Sequence, residues 1–348
     1  MSLDAFRDRI LARAPLRVRG GGSKDFYGGP LTGEVLEMGG YRGIVSYEPS
    51  ELVMTARAGT PLAELEAALA ACGQWMAFEP PAFGGAATLG GAVAAGLSGP
   101  GRASCGALRD FVLGAKIMDG EGRVLTFGGQ VMKNVAGFDV SRLLAGSLGT
   151  LGLILEVSFK VLPIPVAQAS LRFQLPQDRA LDLMNRWAGR PLPLTATSWE
   201  EQVLTVRLAG ADAAVRSACG TLGGERLPAA EAAAHWAGLK EQSHAFFAGK
   251  APLWRLSVPS TRASLTLLEH TLIEWGGAQR WLRGDWEPVQ LRELAQRAGG
   301  HATLFRGGDR VMGVFAPLPA PLADIHQRLK SAFDPHGVFN PGRLLPDL

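Results

Sequence analysis

Two stretches of this sequence place glycines where backbone N–H groups can stay free to bind an anion. In Arg19-Gly20-Gly21-Gly22-Ser23-Lys24, three glycines are followed by a hydroxyl and flanked by two cations. The run from Pro80 to Pro100 holds six glycines, six alanines and no charged residue. Glycine tolerates positive φ and lets another group approach the backbone closely. Successive N–H groups in such a turn form an anion-binding concavity, and Arg19 or Lys24 adds charge beside the first one. One reading of the 80–100 run is a wrap around the pyrophosphate of a dinucleotide. The other is a Gly/Ala segment used for helix packing or left flexible. Taken alone, the 19–24 stretch also reads as a glycine-rich hairpin turn. Neither stretch has the GxxxxGK[ST] spacing, and GxGxxG is absent from the chain. The P-loop and Rossmann readings fail on their own fingerprints.

The elements around these stretches must position them. Residues 3–13 carry Leu3, Phe6 and Ile10 at roughly helical spacing, and Leu16–Arg19 alternates as a strand that runs into the first cradle. Ile44–Tyr47 and Leu52–Ala58 read as strands separated by a Pro-Ser turn. Thr60 is expected to cap a helix with Pro61 at its first position. Leu62, Leu65, Leu69 and Cys72 would form its buried stripe, and Gly73 would end it. Val112–Met118 and Arg123–Phe127 flank a hairpin signal, Asp119-Gly120-Glu121-Gly122. Asp139 or Ser141 is expected to cap a helix ending at Gly146, and Gly146, Gly149 and Gly152 recur before an alternating strand, Leu153–Val161. Pro163 and Pro165 close that strand, so an α+β domain is expected over residues 1–165.

Beyond it, strand-like pieces (Ala169–Leu175, Gln202–Leu208, Leu253–Val258, Arg310–Phe315) alternate with helix-like ones (179–188, 211–220, 229–248, 261–275, 287–298). These predict a second α+β domain over 166–305, followed by a segment, 306–348, that again has the look of a site near Phe333–Arg343. Seven of the eight tryptophans lie after residue 166 and are expected in packing roles.

A chain of 348 residues with 47% hydrophobic and 19% charged residues is an ordered globular protein large enough for two domains. A net charge of +3 without a basic block argues against nucleic acid. Three scattered cysteines without a CxxC exclude a disulfide framework and an iron–sulfur or zinc site built from this chain alone, and no metal is expected. The charged N-terminus does not suit a signal peptide, and no apolar run is long enough to cross a bilayer. A cytoplasmic protein with no membrane insertion of its own is expected.

Taken jointly, Arg19–Lys24, Thr88-Leu89-Gly90-Gly91, Gly146-Ser147-Leu148-Gly149-Thr150-Leu151-Gly152-Leu153-Ile154 and Asn340-Pro341-Gly342-Arg343 resemble the FAD-binding domain of the vanillyl-alcohol-oxidase type flavoproteins, the PCMH fold. The Asn-Pro-Gly-Arg tail resembles the 2-hydroxy-acid dehydrogenase branch. Phe78–Pro81, Ala95–Pro100, Lys133–Asp139, Trp254–Pro259 and His301–Gly307 resemble the family of smaller FAD-binding subunits of bacterial glycolate oxidases. The resemblance implies a two-part FAD domain with a smaller α+β cap, and two partners: a larger flavin-bearing catalytic subunit and an iron–sulfur subunit. Membrane association would then come through partners.

Carried over by the same resemblance, Arg19, Gly20, Gly21, Gly22, Ser23 and Lys24 form the first pyrophosphate cradle. Thr88, Leu89, Gly90, Gly91, Ala94, Ser98 and Gly99 form the second. Pro80 and Pro81 are implied near the isoalloxazine, Ile154 against the adenine end, and Asn340 at the flavin's polar edge. No histidine lies in residues 1–234, so attachment at the first cradle is excluded and noncovalent FAD is expected, with Cys105 as the one residue that could overturn this.

Oxidising a small 2-hydroxy acid needs a base for the hydroxyl proton and a cation for the carboxylate. Lys133, Arg255, His301 and Arg306 are the candidates, although each arginine reads equally as a surface or ion-pair residue and a lone histidine as a structural one. The clustered histidines and acids of catalytic members are missing around His301, and their Gly-Ser-Glu-Gly is Gly-Ser-Leu-Gly here. The leading expectation is a FAD-binding subunit of a glycolate-oxidising complex that passes electrons to partners. A stand-alone flavoenzyme for another hydroxy acid or polyol, or an assembly subunit without catalytic flavin, are the alternatives.

Overall fold

The computed structural model describes residues 2–129, 139–265 and 270–348. The chain divides into two units. The first opens with α1 (Leu3–Leu11), β1 (Leu16–Arg19), β2 (Glu34–Glu37), β3 (Ile44–Glu48), β4 (Val53–Arg57), α2 (Leu62–Ala71), β5 (Gln74–Trp75) and α3 (Leu89–Ala95). A short α4 (Arg102–Cys105) groups with the second unit. The chain then returns through α5 (Leu108–Phe111), β6 (Val112–Met118), β7 (Val124–Gly128), β8 (Leu153–Lys160) and β9 (Leu162–Pro163).

The second unit continues with β10 (Ala167–Gln174), α6 (Gln177–Ala188), β11 (Leu194–Glu200), β12 (Val203–Gly210), α7 (Asp212–Leu222), β13 (Glu225–Arg226) and α8 (Ala229–Glu241). It ends with β14 (Leu253–Ser257), β15 (Thr271–Glu274), β16 (Gln279–Arg283), α9 (Pro288–Arg297) and β17 (His301–Arg306). Helix α10 (Ala320–Phe333) and the tail after it belong to the first unit. Two stretches depart from a simple division along the chain: Ser98–Gly106 and residues 306–316 both group with the second unit.

The first unit is built on an antiparallel sheet, β3-β4-β8-β6-β7, beside a parallel pair, β1-β2. Its central strand β8 has the alternation read from the sequence: Leu153, Leu155, Val157 and Phe159 are at most 1% exposed. Each such side chain contributes about 1.5–3 kcal/mol of burial. Helix α2 buries Leu62, Leu65 and Leu69 as expected. Cys72 is instead exposed, because the helix ends at Ala71 and Gly73 turns the chain at φ +66. Pro61 rather than Thr60 is the N-cap. The Thr60 hydroxyl donates to Arg57 O (2.7 Å) and accepts from Gly43 N (2.9 Å), so it ties a turn. The expected helix after Asp139 is only a 3-10 turn, Ser141–Leu144.

The second unit is an eight-stranded antiparallel sheet, β13-β10-β12-β11-β15-β16-β14-β17. Trp187, Trp199, Trp236, Trp254 and Trp281 are buried in it. Two sequence expectations fail here. Within 261–275, Thr271–Glu274 form the buried strand β15, because a sheet partner on each side outweighs helical spacing. Arg310–Phe315 is a turn, closed by Gly313 N to Arg310 O (2.9 Å), with Val311 86% exposed.

Candidate functional site

The loop that follows β1 is fixed from beneath by its carbonyls. Buried Arg343 donates from Nη2 to Asp25 O (2.8 Å) and Lys24 O (3.3 Å), and from Nη1 to Gly29 O. The backbone N–H groups of Gly21, Gly22 and Ser23 donate to no acceptor among the described residues. Held carbonyls and free N–H groups are the arrangement that makes an anion-binding concavity. Gly22 has φ +71, and the loop lies so close to the 86–88 segment that a Cβ on Gly21 would collide with the Ala86 carbonyl and one on Gly20 with the Thr88 hydroxyl. The sequence contains glycine at these two positions because nothing larger fits.

Thr88 caps α3 by accepting from Gly91 N (3.3 Å). Gly90 packs its Cα against Ala58 of the turn after β4, where a Cβ would sit 2.6 Å from the Ala58 methyl. On the third side, Asn340 spends its side-chain amide on two loops. Its Oδ1 accepts from Val18 N (2.8 Å) and its Nδ2 donates to Leu148 O (2.7 Å). Leu148 and Asn340 hold left-handed φ values of +52 and +43, a strained conformation for side chains that persists where surroundings enforce it. A buried ion pair braces the neighbouring backbone. Lys330 Nζ donates to Asp334 Oδ2 (2.7 Å), Thr150 O (2.8 Å) and Phe339 O (3.0 Å). Asp334 accepts in turn from Val338 N (2.9 Å) and Phe339 N (2.8 Å).

These loops enclose two adjoining clefts with Gly20, Thr88, Gly91, Ala94, Leu148 and Asn340 in common. The polar cleft adds Arg19, Gly21, Gly22, Ser23 and Lys24; the other adds Met38, Ala58, Gly90 and Ile154. Arg19 Nε is buried without a hydrogen bond, although it stands 3.4 Å from Asp25 Oδ2 and its Nη1 reaches Glu37 Oε1 at 3.3 Å. Free N–H groups beside an arginine, running on into an apolar slot, fit a phosphate-bearing ligand with a flat apolar end.

Not every expected residue is in this constellation. Pro80, Pro81 and Leu89 are buried and line neither cleft. Ser98 and Gly99 belong to the second unit, where Gly99 O accepts from Trp275 Nε1 (3.0 Å). Cys105 is there too, its Sγ 3.1 Å from Gly101 O. Met38, Ala58, Leu148 and Arg343 were missed as individual residues. Leu148 and Arg343 sit inside glycine motifs that point to them, whereas Met38 and Ala58 carry no local signal.

The candidates for acid–base work lie in the second unit or outside the described residues. Lys133 is in the latter group. Arg255 stacks over Phe305, 5.5 Å from its centroid, and Arg306 Nη2 donates to Gln242 Oε1 (2.6 Å). His301 keeps an exposed edge on β17; packing around its ring, and then the Arg255 charge, lower its pKa below the usual value.

Comparison with known proteins decides the family. The profile of a family described as "FAD binding domain" matches residues 9–128. The glycolate oxidase subunit GlcE of Escherichia coli (strain K12) is 47% identical over 99% of this chain and 97% of its own length. The chain belongs to the GlcE family. It is a FAD-binding oxidoreductase-family protein with the PCMH-type fold. Lesser matches cover one segment each. The glycolate oxidase subunit GlcD of Bacillus subtilis (strain 168) is 36% identical over 24% of this chain and 18% of its own length. A D-lactate dehydrogenase of Archaeoglobus fulgidus is 27% identical over 43% and 33% respectively. In fold, a solved alkyldihydroxyacetonephosphate synthase superposes with a TM-score of 0.69 at 15% identity, covering 98% of this chain and 75% of that one. No described helix is long and apolar enough to cross a membrane.

Proposed function

We propose that this chain is the FAD-binding subunit of a cytoplasmic glycolate-oxidising complex, in which glycolate becomes glyoxylate and electrons leave through flavin to partner subunits. The observation that carries the reading is 47% identity to a glycolate oxidase subunit over nearly the full length of both chains, together with a glycine loop in which the N–H groups of Gly21, Gly22 and Ser23 are free. The chemistry FAD would supply when bound is the uptake and passing on of two electrons.

This chain's residues bind and orient. Gly21, Gly22 and Ser23 offer N–H groups to the pyrophosphate, and Arg19 and Lys24 balance its charge. Gly91 and Ala94 close on it from α3. Met38, Ala58 and Ile154 supply the apolar surface for the adenine end. Asn340, with both halves of its amide engaged, keeps the β1 loop and the Leu148 turn at one spacing. The flavin is held without a covalent bond. A larger flavin-bearing subunit and an iron–sulfur subunit are the partners in this reading. Arg255 and Arg306 already have partners within the second unit, which favours a chain whose flavin relays electrons.

Anaerobic titration with glycolate tests this. Flavin absorbance is expected to bleach when the partner subunits are present and to persist in the isolated chain. Full bleaching of the isolated chain would contradict the relay and support autonomous oxidation of the hydroxy acid.

A further inference from the structure

The second unit contains a cavity of about 880 Å³ that the flavin reading does not use. Its wall is formed where β11 ends at Trp199 and Glu200, by Glu201 in the turn beyond, by His244 and Phe246 after α8, and by Arg283 at the end of β16. His270 and Thr271 at the start of β15, with Gln177 on α6, complete its polar lining.

The charges in this cavity do not cancel. Glu200 Oε2 stands 3.5 Å from His244 Nδ1, but that nitrogen accepts from Phe246 N (3.3 Å), which assigns the ring proton to Nε2. Burial holds the His244 pKa below its usual value, so the ring gives Glu200 no cation at neutral pH. Behind it, His235 bonds Ser198 Oγ at 2.8 Å and lies 5.5 Å from the His244 ring. Burial first, then the charges of His244 and Arg172, with Glu231 opposing, push its pKa down to about 4. Among the described lining residues, two carboxylates therefore accompany one guanidinium, that of Arg283, whose Nη1 donates to Phe246 O (3.1 Å). Burial and then the neighbouring Glu201 raise the Glu200 carboxyl to about 6, and a cation bound beside it would offset both causes.

We infer that this cavity binds a small organic cation, a primary amine with an apolar body, whose ammonium pairs with Glu200 and Glu201 while Trp199 and Phe246 line its apolar side. An anion would meet the same two carboxylates at neutral pH and is disfavoured by them.

Calorimetric titration of the full chain with benzylamine and, in parallel, phenylacetate tests the site. Benzylamine is expected to bind saturably at about pH 7.5 and about tenfold more weakly at about pH 5, where Glu200 takes up a proton. Phenylacetate is expected not to bind. Glu200→Gln should weaken benzylamine at least about tenfold without changing flavin content. If that variant does not fold, the amine-against-carboxylate comparison at the two pH values decides alone. Benzylamine binding unchanged by Glu200→Gln or by pH, phenylacetate binding as tightly as the amine, or no saturable binding of benzylamine overturns the inference.

Discussion

At Gly21 a single methyl group would stand where the Ala86 carbonyl oxygen is. Gly21→Ala must push the loop away from the 86–88 segment and rotate its free N–H groups. We expect the flavin content of the purified variant to fall at least about tenfold, read by absorbance, with the second unit still folded by circular dichroism. Flavin content equal to wild type would refute this placement of the cradle. Charge in the cradle and pH response elsewhere are also residue-scale properties. His235 has its folded pKa lowered to about 4, so the unfolded chain binds the extra proton between about pH 6.5 and 4, and stability falls as pH drops through that window. Glu200, raised to about 6, acts oppositely, giving stability that is present at low pH and lost as pH rises through 6. His235→Gln should flatten the loss of stability on acidification by about 2 kcal/mol in urea unfolding at about pH 4.5 against about pH 7. An unchanged slope would contradict its buried neutral state.

Elements decide whether such residues meet. The tail reaches the site because Lys330 and Asp334, one turn apart near the end of α10, fasten it to Thr150 and to its own Phe339. Removing one member of a buried pair leaves the other charged and alone, at about 3–5 kcal/mol. Lys330→Met should cost that much in urea unfolding and loosen Asn340 from Leu148, lowering FAD affinity in proportion. A variant as stable as wild type, with undiminished affinity, would refute the fastening role. The same scale explains what sequence reading reached. Strand β8 and the α2 stripe were legible because one face of each is buried and the period is unbroken. The tight loop at 19–24 was legible as backbone geometry because glycine types signal that geometry directly. Strand β15 was not: Thr271–Glu274 owe their conformation to β11 and β16, residues distant in the chain. Ala58 and Met38 were illegible for the same reason, since tertiary approach alone brings an ordinary side chain into the cleft. Cys72 was misplaced because the helix stopped one residue early.

For the whole molecule, the chain builds its first unit from three separated segments, Met1–Leu97, Ala107–Pro163 and Pro317–Leu348. The clefts proposed for the flavin draw on all three, so they are complete only when the C-terminal segment has returned. Deleting residues 317–348 should therefore abolish FAD retention even though both glycine cradles remain, and a truncated chain that still holds FAD would contradict this. The second unit carries the acid–histidine cluster around Glu200 and His244, which no local motif announced because its members come from β11 and from the turn after α8.

If the chain holds its own flavin in these clefts, it retains FAD without its partners. The most direct measurement is the FAD released by acid from the full chain purified by itself, counted per protein. One noncovalently bound FAD per chain is expected, recovered again when stripped protein is reconstituted with FAD. A colourless chain that takes up no FAD on reconstitution would contradict it.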